Sequence, residues 1–92
     1  MNYSVIIPVF NEEENVEILH KELSIVLNGL VSNDRQIELI YVNDGSIDAT
    51  LEKLLILKPE AFEIKIINNL KNFSQSVSLN HGIEISKYEN YF

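Results

Sequence analysis

The stretch YVNDGSIDAT, residues 41–50, predicts how this 92-residue chain folds. Its first residues are aromatic and β-branched, and they run directly into the turn sequence Asn43-Asp44-Gly45-Ser46, which is followed by the start of a helix. Gly45 tolerates positive φ angles, so the chain is able to turn there without a steric penalty. The stretch therefore predicts a strand that ends in the Asp44 carboxylate and leads straight into a helix.

Apolar runs on both sides of this stretch predict the strands of a sheet. Tyr3 to Val9 forms one run, Ile37 to Val42 forms the second, and the third contains Ile64, Ile66 and Ile67. Short, nearly continuous apolar runs are typical of parallel strands that are buried on both faces. We expect three parallel strands.

Helical patterns lie between and after these strands. Residues 12–30 place apolar side chains at steps of three and four, which predicts an amphipathic helix, and Asn11 and Glu14 have the spacing of a capping box at its start. A second, shorter helix is expected to end before Pro59, and a third to run from Ser74 to Lys87. Either Ser46 or Asp48 is the expected cap of the second helix. Strands that alternate with helices at this spacing predict an α/β fold, with a parallel sheet built from successive β-α-β units in a single domain, residues 1–92.

Composition excludes several classes of function. The net charge is −7, from 14 acidic and 7 basic residues, and no basic patch is present to bind a phosphate backbone, so nucleic acid is not an expected partner. The absence of cysteine excludes disulfides and thiolate metal sites. The apolar N-terminal run lacks a basic lead and is interrupted by Pro8, which argues against a signal peptide or a membrane span and predicts a cytoplasmic protein.

Polar residues follow each predicted strand, where an open α/β sheet places its ligand crevice. They are Asn11 and Glu12 after the first strand, Asn43 to Ser46 after the second, and Asn68, Asn69, Lys71 and Asn72 after the third. The Asp44 carboxylate is suited to accept a hydrogen bond from a ring N–H of uracil or guanine, and Phe10 is suited to stack on a base. These residues alone also fit a plain turn at Asp44-Gly45 with a helix cap at Asp48, and both interpretations stay open.

Three segments in this order, SVIIPVFNEEENV, YVNDGSIDAT and NFSQSVSLNHGIEIS, resemble the N-terminal part of the family 2 glycosyltransferases. The resemblance covers nearly the whole chain and is strongest to polyprenyl-phosphate sugar transferases such as dolichyl-phosphate mannose synthase. It implies a three-layer, Rossmann-like half of a GT-A fold. It also implies a nucleotide-sugar-binding domain that transfers a sugar from a UDP- or GDP-sugar to a lipid-phosphate or glycan acceptor, at the inner face of the membrane if the chain is part of a longer enzyme.

Carried over by position, the resemblance assigns the nucleotide-binding site to Pro8, Phe10, Glu12, Asp44 and Gly45, with Asn43, Asn72 and Gln75 as a second set. Three positions depart from the family pattern. Phe10 stands where the family has Tyr, Asn43 where it commonly has Asp, and Ser74 where Gly is usual. The first change keeps stacking and loses a hydroxyl, the second reduces the charge near the base, and the third alters the loop after the third strand.

The Asp-x-Asp motif that holds the divalent metal in the family does not occur in these residues. The resemblance implies Mg²⁺ or Mn²⁺ for the complete enzyme, with ligands, catalytic base and acceptor site outside this chain, which is therefore assigned no catalytic residue and no metal ligand. Helix N-termini are then the only device left to balance a diphosphate. The family strand order, 3-2-1-4, predicts an exposed edge along Tyr3 to Val9 if the fourth strand is missing, and hence self-association.

Alternative functions remain. The chain is also consistent with a catalytically silent fragment, or with an interaction module that associates through an exposed sheet edge. A phosphorelay receiver domain is disfavoured, because its third strand would end in Asp whereas here Asn68-Asn69 stand. His20, expected on the solvent side of the first helix, and His81 lack a second ligand at a metal spacing, so we assign them structural roles.

Overall fold

The computed structural model describes residues 2–58, 60–69, 82–83, 86–88 and 90–91. In chain order its elements are β1 (Tyr3–Val9), α1 (Val16–Leu30), β2 (Ile37–Asp44), α2 (Thr50–Leu55), β3 (Glu63–Asn69) and β4 (Asn90–Tyr91). All strand pairs are parallel, and the sheet order is β3-β2-β1-β4. The predicted α/β fold, its parallel sheet and the strand order 3-2-1-4 are therefore confirmed.

The central strand β2 is buried along its whole length, and the two faces of the sheet carry different layers. On one face, Leu39 and Tyr41 pack with Val16 and Leu27 of α1 and with Leu54 of α2. On the other face, the cluster consists of Ile6, Ile40, Val42 and Ile67. Full burial of one such aliphatic side chain contributes roughly 1.5–3 kcal/mol. The continuous apolar run in β2 follows from its burial on both faces.

Helix α1 begins at Val16 rather than at the predicted Glu12, and it ends at Leu30 as predicted. The capping-box prediction is wrong. Asn11 adopts a φ of 50°, and its side-chain oxygen accepts a hydrogen bond from the amide of Ile47 instead of capping the helix. The N-terminal cap position, Asn15, makes no side-chain cap bond. The chain therefore passes through a separate loop between β1 and α1.

The strands β2 and β3 extend further than their apolar runs, to Asp44 and Asn69. Asn43, Asp44, Asn68 and Asn69 accordingly belong to the strands rather than to the following loops. Helix α2 starts at Thr50, and its N-terminal cap position is Ala49, which makes no side-chain cap bond, so neither Ser46 nor Asp48 occupies the cap position. Asp48 Oδ1 instead accepts the Thr50 amide from just outside it. The expected stop at Pro59 lies outside the described residues.

A fourth strand is present within the chain, which corrects the prediction of an entirely uncovered β1 edge. Asn90 and Tyr91 pair with Tyr3 and Ser4, and no described residue pairs along the same edge between Val5 and Val9. The predicted helix from Ser74 to Lys87 lies largely outside the described residues. Gly82 and Ile83 are helical, whereas residues 86–88 are not, so this helix ends before residue 86.

A buried ion pair lies at the amino end of the sheet. Glu38 is fully buried in β2, and its carboxylate lies 2.8 Å from Lys65 Nζ of β3. It also accepts hydrogen bonds from the Ser4 hydroxyl of β1 and from the amide of Lys87. Burial opposes ionisation of Glu38, but the bonds from Lys65, Lys87 and Ser4 outweigh it and lower its pKa. Three strands are thus joined through one carboxylate.

Candidate functional site

The carboxyl ends of β1, β2 and β3 meet at one edge of the sheet. In the strand register Val9 lies beside Asn43, Asn43 beside Asn68, and Asp44 beside Asn69. A row of amide and carboxylate groups therefore crosses the sheet at this edge. We call it the strand-end row: Asn43, Asp44, Asn68 and Asn69.

The side chains of the strand-end row are bonded to one another. Asn43 donates from Nδ2 to Asn68 Oδ1 at 3.0 Å, and Asn43 Oδ1 accepts from the Ser46 hydroxyl at 2.5 Å. Asn43 is 1% exposed, and both ends of its amide are used within the protein. It connects the end of β2 to β3 and to the following loop, and its assignment to the nucleotide-binding site stays a prediction.

Asp44 is a buried carboxylate at the end of the central strand. It is 6% exposed, and its Oδ1 lies 3.5 Å from the Asn69 side-chain nitrogen, one of several interactions that it makes. Gly45 follows with a φ of 74°, as its predicted role in the turn requires. A side chain at this position would be strained in the left-handed region, so glycine keeps Asp44 at the sheet edge.

The residues predicted after β1 differ in exposure. Pro8 is half-buried within the strand, whereas the Phe10 ring is 42% exposed just beyond it. Glu12 is half-buried in the loop, and its carboxylate accepts from the Asn15 side chain at 2.9 Å. An exposed aromatic ring therefore follows directly on β1, whose last residue, Val9, pairs with Asn43 of β2.

A set of side chains after β2 holds the loop after β1, and sequence reasoning missed most of it. The amides of Asn11, Glu12 and Glu13 donate to Ser46 Oγ at 2.9 Å, to Thr50 Oγ1 at 2.8 Å and to Asp48 Oδ2 at 3.3 Å. We call this arrangement the loop clamp: amides 11–13 with the side chains of Ser46, Asp48 and Thr50. The sequence pattern that could have indicated this arrangement is the run of polar side chains at every second position, 46, 48 and 50.

Asp48 is the charged member of the loop clamp. Partial burial disfavours its ionised form, but the Thr50 hydroxyl, the Thr50 amide and the Glu13 amide all donate to it and lower its pKa. The carboxylate therefore stays ionised below its ordinary range. The Asp48 carboxylate thus accepts hydrogen bonds from three donors in two segments of the chain.

The described residues contain no group of three or more His, Cys, Asp or Glu side chains placed to hold a metal ion. Helix N-termini were the alternative device for balancing a diphosphate. The amides of residues 11–13 are occupied by the loop clamp, and those of Asn15 and Val16 bond to the Glu12 carbonyl. The start of α1 is thus largely satisfied within the protein. Asn72 and Gln75, predicted for the second set, lie outside the described residues, as does His81.

His20 is buried, in contrast to its predicted solvent-side position. It is 7% exposed, and its Nδ1 lies 2.7 Å from the Tyr41 hydroxyl, while Nε2 has no hydrogen-bond partner among the described residues. Burial lowers the pKa of His20, an effect that Glu60 partly opposes. The side chain lies at a cleft of about 470 Å³ between α1 and α2, away from the strand-end row.

No helix in the described part of the chain is both long and apolar enough for a membrane span.

The fold and site define an α/β domain with polar groups gathered at the carboxyl ends of parallel strands, the position where such sheets bind ligands. Residues 4–92 match the family model described as glycosyl transferase family 2. The chain belongs to this family.

Three relatives illustrate the similarity. An uncharacterized glycosyltransferase of Synechocystis is 39% identical over 91% of this chain and 26% of its own length. The dodecaprenyl-phosphate galacturonate synthase of Rhizobium johnstonii is 33% identical over 95% of this chain and 25% of its length. The dolichol-phosphate mannosyltransferase of Pyrococcus furiosus is 34% identical over 91% of this chain and 22% of its length. The chain thus spans about a quarter of the length of these relatives.

Proposed function

We propose that this chain binds the nucleotide of a UDP- or GDP-sugar as the N-terminal part of a glycosyltransferase. The observation that carries the proposal is that a buried carboxylate, Asp44, ends the strand β2, while the exposed Phe10 ring follows the last residue of the neighbouring parallel strand β1. A base stacked on Phe10 would present its ring N–H to the Asp44 carboxylate, a charge-assisted hydrogen bond. Pro8 in β1 and Glu12 in the following loop lie on either side of Phe10 in the chain, and Gly45 makes the turn after Asp44 at a φ of 74°.

The acceptor part of the proposal comes from the relatives. Two of them are named for transfer involving dodecaprenyl phosphate and dolichol phosphate, which supports a lipid-phosphate acceptor for the whole protein and a position at the inner face of the membrane. A glycan acceptor is the alternative within the same class. A divalent cation, Mg²⁺ or Mn²⁺, would shield the diphosphate of the donor. The described residues contain no group of three or more His, Cys, Asp or Glu side chains placed to hold it.

Titration of the ¹⁵N-labelled chain with UDP and GDP, followed by amide shifts, tests the proposal. We expect saturable shifts at Phe10, Glu12 and Asp44, and the base that gives the tighter binding identifies the donor. Asp44→Asn removes the charge with almost no change in shape, and should weaken binding roughly 10- to 100-fold, because a hydrogen bond to a charged group contributes about 1.5–3 kcal/mol.

Asp34→Asn is the matched control, since it makes the same substitution in the connection before β2, at the opposite edge of the sheet. It should bind like the wild type. Equal affinity of the two Asn variants, or no shifts up to millimolar nucleotide, would rule out Asp44 as the base-recognising group.

A further inference from the structure

The loop that carries Phe10 and Glu12 is bonded to a distant segment of the chain. Asn11 holds a φ of 50°, a conformation that residues other than glycine rarely adopt. Three consecutive amides of this loop find their acceptors 35 to 38 residues further along the chain, in the loop clamp. A fourth bond runs in the reverse direction, from the Ile47 amide to the Asn11 side chain at 2.9 Å. The shape of the loop therefore depends on side chains that follow β2.

Thr50 is the central member of the clamp. It is fully buried, its hydroxyl accepts the Glu12 amide, and it donates to the Asp48 carboxylate. A hydroxyl offers one donor and two acceptor sites, so a single oxygen connects the two loops. Asp48 in turn accepts the Glu13 amide. Replacing the Thr50 hydroxyl by a methyl group would leave two buried or half-buried polar groups without this partner.

The same segment also reaches the strand-end row. Ser46 accepts the Asn11 amide and donates to Asn43, which is bonded to Asn68 of β3. The loop after β1 is therefore held at a fixed position relative to the end of β2, where Asp44 lies.

We infer that Thr50 and Asp48 are positioning residues of the nucleotide site: they hold the Phe10-to-Glu13 loop in the conformation that presents Phe10 and Glu12 beside Asp44. The inference rests on the proposed nucleotide function. Neither residue contacts the base in this arrangement. Without the clamp the loop would populate other conformations, and the apparent dissociation constant would rise in inverse proportion to the remaining binding-competent fraction.

Three variants test this role. Thr50→Val keeps the shape and removes the hydroxyl, Thr50→Ser restores a hydroxyl, and Ile37→Val lowers stability at the opposite end of β2, where the side chain is buried in the core. The nucleotide dissociation constant and the hydrogen-exchange rate of the Glu12 amide are measured for each. For Thr50→Val we expect at least tenfold faster hydrogen exchange at the Glu12 amide and about tenfold weaker nucleotide binding. A tenfold loss of affinity corresponds to a loop that is in its binding-competent conformation in about one tenth of the molecules.

Thr50→Ser should bind within about threefold of the wild type, and Ile37→Val should bind like the wild type although its unfolding midpoint is lowered. If Thr50→Val does not fold, Asp48→Ala, at a half-buried position, is judged by the same criteria. Unchanged affinity in the folded clamp variant, or an equal loss in Ile37→Val, overturns the positioning role while the nucleotide proposal stands. A wild-type chain that binds no nucleotide overturns both.

Discussion

Replacing Tyr41 by Phe removes one oxygen atom from a buried contact between β2 and α1. The Tyr41 side chain is 1% exposed, and its hydroxyl lies 2.7 Å from His20 Nδ1. Since Nε2 of the same ring has no partner among the described residues, the substitution would leave both ring nitrogens of a buried histidine unsatisfied. A buried polar group that loses its partner costs about 1–3 kcal/mol, so the free energy of unfolding should fall by this amount.

Urea unfolding at neutral pH, followed by circular dichroism, measures the change. Tyr88→Phe is the matched control, because the Tyr88 hydroxyl donates to the Gln36 side chain at 3.2 Å in an exposed position. The control should alter stability by no more than about 0.5 kcal/mol. If Tyr41→Phe is as stable as Tyr88→Phe, the His20–Tyr41 bond does not stabilise the fold and the reasoning from its burial is refuted.

Two other predictions concern acidity and association. Because burial lowers the pKa of His20, the folded chain binds a proton at His20 more weakly than the unfolded chain does. The stability that neutral His20 provides is therefore complete above the unfolded pKa of about 6.5, and it is lost as the pH falls through the lower pKa of the folded chain. Urea midpoints at about pH 7.5 and 5.5 should show the loss, a His20→Gln variant should reduce it, and equal midpoints in the wild type would contradict it. The edge of β1 from Val5 to Val9, unpaired by described residues, predicts self-association, and light scattering over a concentration series should show an increasing average mass. A constant monomer mass up to the highest concentration would exclude that contact.

The strands were predictable because their apolar runs are continuous and bounded by turn residues. Their polar ends were predictable only in part: β2 was expected to end at Asp44, as it does, whereas Asn68 and Asn69 look like loop residues in the sequence and are strand residues in the sheet. Only the hydrogen bonds with the neighbouring strand extend β3 to these positions. Propensity therefore located the strands, but it did not extend β3 to Asn68 and Asn69.

The buried face of α1 was harder to assign. Val26 belongs to the apolar stripe that the spacing within residues 12–30 predicts, yet it is 58% exposed, while the polar His20 and Ser24 are buried. A helix contacts both the sheet and its neighbour α2, so its buried side is set by tertiary packing, which periodicity of apolar residues cannot report when polar residues share that side. The buried position of His20 is a consequence of this tertiary packing.

The loop clamp was beyond sequence reasoning for another reason. Asn11 and Glu14 have the spacing of a local cap, and a local bond is the simplest interpretation of such a spacing. The actual acceptor for the Glu12 amide is 38 residues away, at Thr50. Contacts of this separation become visible only after the parallel pairing of β1 and β2 has brought the two loops together. Of the candidate site, the sequence could thus name the strand ends and could not describe what holds the loops.

The Glu38 ion pair has a consequence for how the sheet aligns. Every residue of β2 is buried, so its aliphatic side chains alone distinguish poorly between one face of the sheet and the other. Sliding β2 by one position would reverse all of its side chains and send Glu38 into the helix-packed side, away from Ser4 and Lys65. A buried, unpaired carboxylate would destabilise this shifted register far more than an isoleucine on the wrong face of the sheet would. A single charge therefore fixes the register of an otherwise ambiguous strand, and it sets which residues lie at the carboxyl end of β2.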